Sequence, residues 1–166
     1  MENERPIRKP TRLKNFDYVK QRIYFITICT QNRKCILSSI VGEGSPLPQL
    51  SVYGKIVDEW IQRIPEKYVG ASVSHYVIMP NHIHLLLSVS DGGRGDPSPT
   101  TDKIIGWFKY QATKEINKIR KAEQEKVFQR SFYDHIVRNR EDYLEIAKYI
   151  ADNPKRWQLD KLYSEH

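Results

Sequence analysis

The sequence predicts an α+β domain, a small antiparallel sheet with helices packed on it. Three observations predict it. Tyr24–Thr30, YFITICT, is a run of β-branched and aromatic residues of strand length. Two further apolar runs flank Pro80-Asn81, a pair suited to a tight turn. Between and after these runs, apolar residues recur at helical spacing in three segments.

In chain order, residues 1–15 form a basic arm carrying Arg5, Arg8, Lys9, Arg12 and Lys14, either a solvated tail or a phosphate contact. Residues 16–166 form a single domain, and no repeat is evident. The Tyr24–Thr30 strand is expected to be buried on both faces. Gly42–Pro48 is a loop, with Gly42, Gly44, Pro46 and Pro48. From Ser51 to Ile64, the residues Val52, Ile56, Val57, Trp60, Ile61 and Ile64 trace a helix that Pro65 should stop. Val73–Met79 and His82–Val89 form the hairpin.

Asp91–Pro99 is a Gly/Pro/Ser-rich loop and a candidate mobile segment. Thr101 or Asp102 would cap a long helix toward Lys121, its stripe made of Ile104, Ile105, Phe108, Ala112, Ile116 and Ile119. Gln124–Phe132 is a connection that has room for a short strand. Asn139 caps the last helix, with Asp142 in a capping-box-like position, and the helix runs to Asn153 before Pro154.

Composition narrows the function classes. Hydrophobic residues make up 39% and charged residues 28%, which suits a packed domain rather than a disordered chain. No apolar run reaches bilayer length, and the polar, basic start is no secretory leader, so a cytoplasmic, nucleoid-associated protein is expected. Lys and Arg number 27 against 20 Asp and Glu, a net charge of +7 that points to phosphate-bearing partners. Cys29 and Cys35 lack metal-type spacing and are expected to be reduced thiols.

His82-Ile83-His84 is the most informative triplet. Alternation on a strand puts both imidazoles on one face and Ile83, Leu85, Leu87 and Val89 on the other, toward a core. Two histidines two positions apart can reach one metal ion, or simply hydrogen-bond to neighbours. A third ligand must come from elsewhere, and His75 on the partner strand is the next by proximity.

On the last helix Tyr143, Ile146, Ala147 and Ile150 make the apolar stripe. Tyr149 lies to one side, on a face shared with Asn153. With 10 tyrosines in the chain, a packing role competes with that of a nucleophile attacking a phosphodiester. No general base is evident in the sequence.

Taken together, YVIMPNHIHLLL (residues 76–87) resembles the His-hydrophobe-His strand of the HUH single-tyrosine transposases. SFYDHIVRNREDYLEIAKYIADNPKRW (131–157) resembles the C-terminal signature of the REP-associated tyrosine transposases, and residues 12–37 and 52–60 are similar to that group. The resemblance implies a ferredoxin-like core and cleavage of single-stranded DNA hairpins, often repeated palindromes, through a 5′-phosphotyrosine with Mg²⁺ or Mn²⁺. It implies Tyr149 as nucleophile, His82 and His84 as metal ligands and Asn153 as the third. Two imidazoles and an amide suit Mn²⁺ at least as well as Mg²⁺. His135, in YDHIVRN, matches a family motif and either lines the site or supports it.

Lys109, Lys114, Arg130, Arg138, Lys155, Arg156 and Trp157 are the expected DNA contacts, cations on phosphates and rings on unpaired bases. Phe108 is expected in the core, and Tyr110 does not match the family's tyrosine position. The enzyme is expected to act as a monomer or homodimer. The alternatives are a non-catalytic ferredoxin-like nucleic-acid-binding or regulatory domain, and a metal hydrolase that uses water.

Overall fold

A computed structural model describes residues 21–41, 47–91 and 98–165. The basic arm, most of the Gly42–Pro48 loop and the centre of the Asp91–Pro99 loop lie outside the described residues. The elements are β1 (Gln21–Cys29), β2 (Ser38–Ser39), β3 (Gln49–Leu50), α1 (Val52–Gln62), α2 (Ile64–Lys67), β4 (Ala71–Ile78), β5 (His82–Ser90), α3 (Thr101–Ile119), β6 (Tyr133–Ile136) and α4 (Arg140–Asp152). A 3₁₀ segment, Pro154–Leu159, follows α4.

Among the described residues, four strands form one sheet in the order β4-β5-β1-β6, every neighbour antiparallel. With α1 between β1 and β4 and α3 between β5 and β6, this is the β-α-β-β-α-β ferredoxin-like arrangement. β2 and β3 form a separate two-stranded ladder beside the Gly42–Pro48 loop.

Alternation along the central strands divides the core in two. Ile26 and Ile28 of β1 and Ile83, Leu85, Leu87 and Val89 of β5 pack with residues of α1 and α3 such as Val57, Ile61, Ile104 and Phe108. The opposite face carries Ile23, Leu86, Ile150 and Trp157 in a smaller cluster under α4. That second face is incompletely covered. Where the smaller cluster ends, β1 and β6 and the flank of α4 enclose a cleft, so β1 is not buried on both faces along its whole length.

Local chemistry explains the element ends. The Ser51 hydroxyl accepts from Gly54 N (3.0 Å) and donates to Ile36 O (2.6 Å), pinning the start of α1 to the preceding segment. Gly54 has no room for a side chain, because a Cβ there would overlap the Leu37 carbonyl oxygen. Pro65 sits in the first turn of α2, where its missing N–H costs nothing, so the chain breaks at Arg63 and restarts. α3 is capped by Thr100, whose hydroxyl accepts from Lys103 N (3.2 Å), rather than by Thr101 or Asp102. Asn139 caps α4 through Asp142 N (2.8 Å). The Asp142 carboxylate does not close a capping box; it accepts from Arg138 N (3.2 Å) and faces His135.

The short strand expected within Gln124–Phe132 is only a single bridge, Thr30 to Phe128, and the true fourth strand is β6 just after it. Among the described residues, no helix is long and apolar enough to cross a membrane.

Candidate active site

The site is built on β5. His82 and His84 share the face that looks toward α4, and both are buried, at 0% and 3% exposure. Each ring is held from behind. Asn81 donates through Nδ2 to Leu162 O (2.7 Å) and Ser164 Oγ (3.2 Å), which turns its Oδ1 to His82 Nδ1 at 2.8 Å. An acceptor there requires His82 to carry its proton on Nδ1, leaving a lone pair on Nε2. His84 Nδ1 lies 2.8 Å from Thr27 Oγ1 on the neighbouring strand. The two rings meet edge to face at 4.5 Å.

Both Nε2 atoms are buried without a hydrogen-bond partner, and so is Asn153 Oδ1. Unpaired buried polar atoms are costly, and three of them in one place fit a missing electrophilic partner. Asp160 completes the set. Its Oδ2 lies 3.6 Å from His82 Nε2, and the ligand atoms of His82, His84 and Asp160 all fall within 4.8 Å of one another. Asp160 is itself anchored, accepting from Leu162 N (2.8 Å) and from Asn153 Nδ2 (3.2 Å). Burial lowers the His82 pKa to about 4, against the opposing pull of Asp160 and Asn153. Burial, with His82 alongside, takes His84 well below its ordinary value. Both rings are therefore neutral at pH 7, the form a metal requires. Two imidazoles, a carboxylate and an amide oxygen suit a hard or borderline divalent cation.

Tyr149 stands over this cluster from α4. Its ring meets His84 at 5.3 Å and Phe25 at 6.1 Å, and 42% of the residue remains exposed. Burial and the Asp160 charge raise its pKa, while Asn153 and Arg156 pull the other way, so the phenol keeps its proton at neutral pH.

Of the residues singled out in the sequence, His82, His84, Tyr149 and Asn153 converge within one chain. Asn153 comes with its amide nitrogen committed to Asp160, leaving Oδ1 as its available ligand atom. His135 lines the same cleft and pairs with Asp142 at 3.0 Å. His75 stays apart, exposed on β4 with its Nδ1 3.2 Å from the Tyr143 hydroxyl. Tyr110 lies exposed on α3, away from the cleft, and Phe108 is in the core.

Among the expected DNA contacts, Lys114, Arg130, Arg138, Lys155 and Arg156 are exposed. Lys109 is not free, because its ammonium donates to Gln129 O (2.6 Å) and Arg130 O (2.9 Å), tying α3 to the chain before β6. Trp157 contradicts the expectation outright. It is 8% exposed and packs on His82 (5.9 Å) and Tyr163 (5.1 Å). Pro154 opens a 3₁₀ turn instead of ending helical structure, and that turn folds the indole back under β5. The same turn delivers Asp160, which the sequence reading missed. A lone carboxylate past a proline, in no periodic pattern, carries no local signal.

Comparison with known proteins agrees with this fold. An uncharacterized protein of Haemophilus influenzae is 31% identical over 172 residues, spanning 94% of this chain and 93% of its own length. The solved structure of a REP-associated tyrosine transposase bound to a REP hairpin superimposes with a TM-score of 0.59 at 19% identity, covering 84% of this chain and 70% of that one. The family model described as "Transposase IS200 like" matches residues 18–153, and with that extent of match the chain belongs to the IS200-like transposase family.

Proposed function

We propose that the protein cuts and rejoins single-stranded DNA at hairpins of repeated palindromes, forming a 5′-phosphotyrosine on Tyr149 and depending on Mg²⁺ or Mn²⁺. The observation that carries this reading is the seating of Tyr149 edge-on against His84, beside three buried ligand atoms that lack a protein partner. The neighbour solved with a REP hairpin bound supports the choice of substrate.

His82, His84 and Asp160, with Asn153 Oδ1, would hold the cation. When bound, it would polarise the scissile phosphate and ease the build-up of charge on the departing oxygen. The chain's own residues do the rest. Thr27 and Asn81 fix the imidazoles. Phe25 and His84 hold the Tyr149 ring at the cleft wall, fixing its line of approach. The phenol oxygen forms a bond to phosphorus as the bond to the 3′ oxygen breaks. Solvent water at the exposed side of Tyr149 takes the phenol proton, and the departing 3′ oxygen takes a proton from water to leave as a hydroxyl. Attack by a 3′-hydroxyl on the phosphotyrosine reverses these bonds and reseals a strand.

The test is incubation with single-stranded hairpin oligonucleotides and Mn²⁺ or Mg²⁺, followed by denaturing gels and mass spectrometry. A covalent protein–DNA adduct at Tyr149, lost with EDTA and in Tyr149→Phe, is expected. Hairpin binding without any adduct would replace this reading with a non-catalytic nucleic-acid-binding domain.

A further inference from the structure

The cleft extends well past Tyr149. It encloses about 980 Å³ between the β1–β6 edge and α4. Asp142, Ile146 and Tyr149 share the helix face that lines it, so it runs roughly 10 Å along α4 from the nucleophile. Its far end is made by His135 and Asp142, a pair that takes no part in holding the cation or the tyrosine.

The chemistry of this far end is unlike the rest of the molecule. The chain carries 27 Lys and Arg, yet among the described residues Lys161, next to Asp160 of the metal cluster, is the one such residue lining the cleft, whereas the α4 wall beyond Tyr149 carries Asp142 and Glu145. A wall of that sign repels phosphate and accepts hydrogen bonds from N–H groups. Aromatic faces accompany it. Phe25 and His135 are paired across β1 and β6, Tyr133 shares their face two pairs further along, and Phe132 adjoins. Asp142 is held in place from two sides, its Oδ2 accepting from His135 Nε2 (3.0 Å) and Arg138 N (3.2 Å). Its Oδ1 has no such engagement among the described residues.

We propose that this end of the cleft is a base-reading subsite, in which an unpaired nucleobase beside the scissile phosphate lies on the Phe25–His135 surface and donates its exocyclic amine to Asp142. The inference rests on the nuclease reading for its substrate. Stacking supplies affinity that tolerates any base, and the fixed carboxylate supplies the choice. Guanine, adenine and cytosine carry the required amine, and thymine does not. His135 is a positioning residue, keeping the carboxylate turned to the cleft.

The test measures binding of the full-length protein to hairpin oligonucleotides by fluorescence anisotropy. Each unpaired position flanking the cut carries either a natural base or its analogue without the amine, such as inosine for guanine. At one position the wild-type protein is expected to bind the amine-bearing base about 10-fold more tightly. Asp142→Asn, which presents an N–H₂ to the cleft, should erase or invert that preference, and His135→Gln should weaken it. Asp142→Asn should leave overall hairpin affinity for the analogue series within about twofold, which a purely structural role would not predict. Equal binding of both bases at every position, or an unchanged preference in Asp142→Asn, would overturn the subsite. Tyr149→Phe protein serves equally well, so loss of the covalent adduct and loss of base preference are separate outcomes.

Discussion

Two kinds of side chain meet at Tyr149, those that would touch the reacting groups and those that orient them. Tyr149→Phe removes the phenol oxygen but keeps the ring against His84 and Phe25. It should abolish the adduct and leave hairpin binding intact, read by denaturing gel and anisotropy in parallel. Thr27→Val is a subtler probe. It preserves shape but leaves His84 Nδ1 without its 2.8 Å partner. Loss of such a supporting hydrogen bond costs about 10–100-fold in metal affinity, so Mn²⁺ binding by calorimetry should weaken by that factor. An unchanged affinity would mean that His84 is not a ligand. Asp160→Asn should weaken Mn²⁺ at least as much, because it removes the one carboxylate of the cluster.

Strand alternation and helical spacing depend on near neighbours, so the shared face of His82 and His84 and that of Tyr149 and Asn153 were legible from spacing alone, whereas the roles expected of these four came only from the resemblance to the transposase motifs. Asp160 was not, because its place depends on a turn after Pro154 and on contacts with Leu162 and Asn153 that no periodicity announces.

At the scale of elements, α4 carries Tyr149 and is followed directly by Asn153 at its C-terminal cap, so its fixed start sets the register of both against β5. Asn139→Ala removes the acceptor for Asp142 N (2.8 Å) and should cost about 1 kcal/mol in urea denaturation. On the other side of the sheet, Gly54→Ala forces a methyl into the Leu37 carbonyl and should cost about 1–3 kcal/mol, with no effect on Mn²⁺ affinity in the folded protein.

The hairpin, α1, α3 and the α4 cap were readable because each combines a long periodic pattern with a local stop or start residue. β6 was not. It is four residues long, only one of them less than exposed, so it shows no alternation of burial. What makes it a strand is β1 lying beside it, a tertiary cause. The capping residue of α3 moved to Thr100 for a related reason: consecutive Thr100, Thr101 and Asp102 all suit a cap, and only the backbone geometry selects among them.

At the scale of the whole molecule, the ferredoxin-like order puts β5 and β1 at the centre of the sheet, so the two histidines are buried from the side by strands and from above by α4 and the Asp160 turn. That burial has a consequence for stability. In metal-free protein, His82 titrates near pH 4, whereas in the unfolded chain it titrates near its ordinary 6.5. Between those values the unfolded chain binds more protons than the folded one, so stability rises with pH. Above pH 6.5 both states are neutral at this residue and its contribution is constant. As the pH falls from 6.5 to 4 the folded state loses about 3 kcal/mol on this account, and His84 adds a loss of the same sign. Urea unfolding with EDTA at pH 7 and pH 4.5 should show the drop, and His82→Asn should shrink it. Saturating Mn²⁺ at pH 7 should raise the unfolding midpoint, since a cation that binds only the folded chain stabilises it by mass action. A flat profile from pH 7 to 4.5 in the wild-type protein would mean that the histidines are open to water in solution, and with that the enclosed metal centre would be lost as the basis of the mechanism.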